Sequence, residues 1–172
     1  NFKGAYEYTG ALQVFAMALR YDYLWMQVRV LGGAYGCMSN FSRNGNVFFV
    51  SYRDPNLEKT MDVYMNIPNY IDNFNPSQND ITKYIIGAIG TLDTPLSPSA
   101  KGDKSFMAYL QNTTYEDLKK ERHEILNVTL DDIKALKPLI EKVLSDDALC
   151  AIGNENKIES STLFKETKNL FN

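Results

Sequence analysis

The feature that most narrows the fold is a short punctuation, Arg43-Asn44-Gly45-Asn46, lying between two runs that can extend. Asn-Gly accepts the positive φ angles of a tight turn, so residues 34–41 and the returning run 47–52 are expected to form an antiparallel hairpin. Most of the remaining chain carries helical spacing instead. A first helix is predicted over 10–20, with Leu12, Phe15, Ala16 and Leu19 on one face and Thr9 as its cap. Asp22 is expected to cap a second short helix over 23–28, which Gly32-Gly33 then ends.

Beyond the hairpin, Leu57, Met61, Tyr64 and Met65 repeat at helical spacing until Pro68, and further helices are predicted over 81–92, 106–110, 116–126 and 131–143. Residues 93–98 read as a loop, and Thr114 and Thr129 as helix caps. Residues 148–153 carry a buried-strand pattern, and a last helix is expected over 163–170. Helices beside a few strands make the class α+β, with an antiparallel-rich mixed sheet packed against several helices.

The 172 residues suit one domain, 1–172, able to bury a real core, and no linker or repeat divides them. The chain opens on Asn1 and reads as a piece of a longer polypeptide. With 21 acidic against 18 basic side chains, the net charge of −3 disfavours nucleic acid as a partner. Apolar runs break well short of ~20 residues, so no membrane partner is expected. Cys37 and Cys150 read as free thiols in a reducing compartment, cytoplasmic or organellar.

One histidine and two cysteines leave an ordinary three- or four-ligand zinc site unfilled. His123 beside Glu124 reads as an ordinary helix residue, because adjacent helical positions point about 100° apart. Glu116-Asp117 and Asp131-Asp132 follow their threonines as capping carboxylates, and Asp146-Asp147 reads as solvated.

The densest chemistry lies in Val28-Arg29-Val30-Leu31-Gly32-Gly33-Ala34-Tyr35-Gly36. A double glycine admits close backbone approach, Arg29 is a permanent cation with a fork of donors, and Tyr35 can donate to an oxyanion. The segment is therefore either an anion or carbonyl clamp or a glycine helix cap with Arg29 solvated and Tyr35 packed in a sheet. A nucleotide loop is a weaker reading still, since neither G-x-G-x-x-G nor G-x-x-x-x-G-K-[ST] is present and these glycines precede a strand rather than a helix.

The run Asp22-Tyr23-Leu24-Trp25-Met26-Gln27-Val28-Arg29-Val30-Leu31-Gly32-Gly33-Ala34-Tyr35-Gly36 resembles a C-terminal-half signature of the pitrilysin/insulinase family of zinc metallopeptidases, in its presequence-protease branch. Ser51-Tyr52-Arg53-Asp54-Pro55-Asn56, Ile86-Gly87-Ala88-Ile89-Gly90, Asp93-Thr94-Pro95 and Ala151-Ile152-Gly153-Asn154-Glu155 follow in the family's order.

The resemblance implies the last of four homologous α+β domains, in two halves that close around an unfolded peptide. It implies zinc in the full-length enzyme, bound through an inverted H-x-x-E-H motif in the N-terminal half of the same polypeptide, with no metal held by this segment. It makes Arg29 and Tyr35 the catalytic pair, and Arg29, Gly32, Gly33, Ala34 and Tyr35 the substrate-binding wall. Donors aimed at a developing oxyanion are worth roughly 2.7–4 kcal/mol each. Alone, the segment is expected to be inactive. The alternatives are a non-catalytic scaffold of the same superfamily and a small peptide- or anion-binding module.

Overall fold

The computed structural model describes residues 1–169. Helix α1 (Ala11–Ala18) lies at the centre, with Leu12, Val14, Phe15 and Ala18 fully buried. Its cap is Gly10 rather than the expected Thr9, whose hydroxyl is buried without a hydrogen-bond partner. The helix begins at Ala11, one residue too late for Thr9 to cap it, and position 10 has room only for glycine: a Cβ there would stand 2.7 Å from the Glu121 carbonyl oxygen. The Gly10 N–H donates instead to Glu124 Oε2 at 2.7 Å, so a carboxylate from another helix serves the positive end of α1.

The two helices expected over 10–20 and 23–28 are one continuous element. α1 runs directly into a π-helical segment, Leu19–Leu31. Its buried residues Leu19, Tyr23, Leu24 and Val28 recur at intervals of four and five, which suits the wider i→i+5 turn. Asp22 accordingly caps nothing, and its carboxylate accepts the Tyr84 hydroxyl.

Strands β1 (Gly36–Phe41) and β2 (Val47–Tyr52) pair antiparallel from Gly36↔Tyr52 to Phe41↔Val47. Among the described residues this two-stranded sheet replaces the mixed sheet expected from the sequence. In the turn Gly45 takes φ +87° while Asn44 does not take a positive φ, and the Asn44 side chain accepts the Asn46 N–H at 3.1 Å. One face of the hairpin is cemented by aromatics: Phe41 lies 5.9 Å from Phe15 and 6.1 Å from Phe49, which stacks 5.7 Å from Tyr64. The other face leaves Met38, Phe48, Val50 and Tyr52 exposed.

The helices that follow are α2 (Glu58–Met65), α3 (Ile67–Asn73), α4 (Gln78–Leu92), α5 (Pro98–Leu110), α6 (Tyr115–Leu126), α7 (Leu130–Lys134), α8 (Lys137–Ser145) and α9 (Glu155–Glu159). Pro68 ends one helix and lies in the first turn of the next, as proline can. Pro138 does the same, which splits the helix expected over 131–143 into α7 and α8. Pro98 opens α5 behind the Ser97 cap, so that helix starts well before the expected residue 106. Thr114–Asp117 and Thr129–Asp132 form capping boxes, as their spacing indicated, and Ser77–Asp80 adds a third.

Two C-terminal expectations fail. Residues 148–153 are not a strand: no ladder partner lies beside them among the described residues, and most of them are exposed. No helix forms over 163–169, and Leu170, the end of that expected helix, lies outside the described residues.

Around α1 the core is completed by Ile67 and Ile71 from α3, Ile125 from α6, Ile133 from α7 and Ile140 from α8. α1 packs against β1, α4, α6 and α7, and the π-helical segment packs against β1 and α2. The hairpin is thus held by both halves of the long helix, with its open end beside the point where the π-helix stops.

Candidate functional site

The π-helical segment ends by folding back on itself. The Gly33 N–H donates to the Arg29 carbonyl at 3.0 Å, and the Ala34 N–H to the Val28 carbonyl at 3.1 Å. Both glycines are required for different reasons. A Cβ on Gly32 would meet the Val28 carbonyl oxygen at 2.5 Å, and Gly33 takes φ +80°, a region L side chains disfavour. The Asn56 side-chain amide holds the Gly32 carbonyl at 2.5 Å. Asn56 is itself set by a turn in which Asp54 accepts the Asn56 N–H at 2.9 Å and the Thr60 hydroxyl at 2.7 Å.

The reversal brings Arg29 and Tyr35 together. Arg29 lies over the Trp25 ring, 3.9 Å from guanidinium carbon to ring centroid, and its Nε donates to the Tyr35 carbonyl at 3.0 Å. Its terminal nitrogens have no acceptor among the described residues, so most of its donor fork is free for a carbonyl or carboxylate.

Tyr35 is 66% exposed yet fixed at its backbone. Its N–H donates to the Tyr52 carbonyl at 3.1 Å and leans toward that of Arg53 at 3.4 Å. Its ring meets Tyr52 edge-on, at 5.9 Å and 83°. The hydroxyl has no partner among the described residues. Ala34, expected in the substrate-binding wall, is buried at 4% exposure and anchors the reversal from beneath.

Together these residues present a cationic and aromatic patch of Trp25, Arg29, Tyr35, Tyr52 and Arg53, with a neutral phenol donor and a guanidinium fork facing water. Nearby, burial pushes the Cys37 thiol above its usual range despite Arg20 and Arg29. Among the described residues no three His, Cys, Asp or Glu side chains converge to hold a metal ion, and His123 lies exposed on α6. No helix among them is long and apolar enough to cross a membrane.

Trp25, Tyr52, Arg53 and Asn56 were not singled out by their chemistry in the sequence. The strand register was the available signal: pairing Gly36 with Tyr52 sets Tyr35 beside Tyr52 and Arg53. The Asp54-Pro55-Asn56 turn chemistry was a second.

A family model described as the PreP C-terminal domain matches residues 1–154. The chain is 48% identical over 173 residues to a protein named HypA from Clostridium perfringens, covering all of this chain and 17% of that relative. It is 34% identical over 171 residues to presequence protease 1, chloroplastic/mitochondrial, of Arabidopsis thaliana, covering 99% of this chain and 16% of the relative. To the mitochondrial presequence protease of Yarrowia lipolytica it is 32% identical over 124 residues, 72% of this chain and 12% of the relative. The chain therefore spans about a sixth of the length of the first two of these relatives.

Proposed function

The chain belongs to the PreP C-terminal domain family, and from that membership we propose that it is the last domain of a longer, four-domain peptidase acting on unfolded peptides. Its part is to bind substrate and to stabilise the transition state at a hydrolytic centre held elsewhere in the polypeptide. The resemblance implies that this centre is zinc in the N-terminal half. Among the described residues no side-chain set fits a metal ion.

When water adds to a peptide carbonyl, negative charge builds on the oxygen. A neutral phenol preorganised toward that oxygen stabilises it more than the ground-state carbonyl, which is what lowers the barrier. Tyr35 supplies this donor, and the free terminal nitrogens of Arg29 hold a neighbouring carbonyl or carboxylate of the same peptide. Gly32 and Gly33 keep the reversal free of side chains so that the peptide can approach. Two unpaired thiols suit a reducing compartment, the cytoplasm or the interior of an organelle.

The observation that carries this reading is the mounting of Tyr35. Its backbone N–H, carbonyl and ring are each engaged, whereas its hydroxyl is left free at the surface. In the full-length enzyme Tyr35→Phe is expected to lower kcat by roughly 10²–10³ with little change in KM. A folded Tyr35→Phe enzyme with unaltered kcat would remove Tyr35 from the mechanism.

A further inference from the structure

We infer that Arg53 is a positioning residue that fixes the orientation of the Tyr35 phenol; the inference rests on the role just assigned to Tyr35. Arg53 follows β2 directly and takes φ +47°, in the left-handed region where an arginine is uncommon. Its guanidinium has no hydrogen-bond or ion-pair acceptor among the described residues. It lies instead 5.7 Å from the centroid of Tyr35 and 5.4 Å from that of Tyr52.

These two rings already form an edge-on pair, and the cation lies within cation–π range of both members. Without it, a ring as exposed as Tyr35 would be held on one side only and would exchange among staggered χ1 positions. The left-handed backbone has a clear purpose here. It turns the chain at the end of β2 so that the Arg53 side chain comes back over the hairpin while its carbonyl stays near the Tyr35 N–H. The strain at residue 53 and the posture of Tyr35 are thus parts of one arrangement.

The test uses the full-length enzyme and five variants. Arg53→Gly is the most informative, because glycine adopts φ +47° without strain and keeps the backbone turn while removing the cation. Arg53→Gly and Arg53→Ala are expected to lower kcat about 5- to 30-fold, the population loss expected of two cation–π contacts, with KM moving less than about 2-fold. Arg53→Lys should recover most of the loss, since an ammonium also binds a ring face.

Adding Arg53→Gly to Tyr35→Phe should lower kcat no further, because the cation acts through the hydroxyl it orients. Wild-type kcat in Arg53→Gly, or a full additional loss in the Tyr35→Phe background, overturns the inference. The two proposals separate cleanly. A crippled Tyr35→Phe beside a fully active Arg53→Gly defeats only the role of Arg53, whereas an active Tyr35→Phe defeats the role of Tyr35 and that of Arg53 with it.

Discussion

The two ends of the hairpin use arginine and tyrosine in opposite ways. At the turn, Arg43 is ion-paired with Glu121, whose side chain is only 9% exposed, and Glu121 also accepts the Tyr8 hydroxyl. Gln13 donates to the same phenol oxygen at 2.7 Å, and the Arg43 guanidinium lies 4.9 Å from the Tyr8 ring centroid. Burial, and then the bond to Glu121, push the Tyr8 phenol far above its ordinary range, so it stays neutral and engaged. At the open end, Arg29, Arg53 and Tyr35 rest on aromatic rings and leave donors unused. The contrast teaches that residue type says little about role. What separates a fastening from a working surface is how many of a side chain's hydrogen-bonding positions the fold has already filled.

The strongest way to break this contrast is at Glu121. Glu121→Ala leaves Arg43 part-buried without its carboxylate, and is expected to lower unfolding free energy by about 3–5 kcal/mol in denaturant titration of the full-length enzyme. The folded fraction should keep its kcat. A loss under about 1 kcal/mol would make the turn end no firmer than a surface ion pair.

Arg29→Ala probes the opposite end and should give the converse result. Here kcat/KM is expected to fall about 10- to 100-fold while stability changes by about 1 kcal/mol or less, the worth of its contact with Trp25. A large stability loss with normal kinetics would show that Arg29 is a fastening like Arg43.

Thr114→Ala sharpens the comparison by weakening α6, the helix that carries Glu121, without touching the ion pair. Losing the cap of that helix should cost about 1 kcal/mol in unfolding free energy and leave steady-state kinetics as they are. A fall in kcat would mean that α6 transmits to the open end.

The smallest effect is one of pH at an exposed cap. A bond from Lys83, and then one from Ser77, hold the Asp80 carboxyl down at about 2, below its ordinary 3.8. A folded pKa below the unfolded one gives stability that is complete above about 3.8 and lost as pH falls through about 2. The stability gap between the native protein and Asp80→Asn should therefore shrink between about pH 4 and 2. A constant gap would show that the carboxylate charge contributes nothing there.

The hairpin and the capping boxes were legible because their causes are local: the turn needs only the positive φ of Gly45 and the Asn44 side chain two residues before Asn46, and Thr114 and Thr129 need only a carboxylate three residues on. The π-helix was not, because Leu19, Tyr23, Leu24 and Val28 fit an α-helical stripe nearly as well as a wider turn. Residues 148–153 misled for a different reason, since an apolar run makes a strand only when another strand lies beside it. At the site, Arg29 and Tyr35 stood out through the family resemblance. Arg53 did not, because its distance to Tyr35 exists only once the strand register is set.

The π-helical segment has one more consequence, for insertions and deletions. An α-helix advances about 100° per residue, so removing one residue between Leu19 and Val28 would let the segment relax toward that geometry. Everything after the deletion would then be turned about the helix axis relative to α1, and a deletion before Trp25 would carry Trp25 and Arg29 round together. The length of this stretch is therefore as much a requirement as its side chains: the segment works as a spacer of fixed count between the core and the reversal that carries Tyr35.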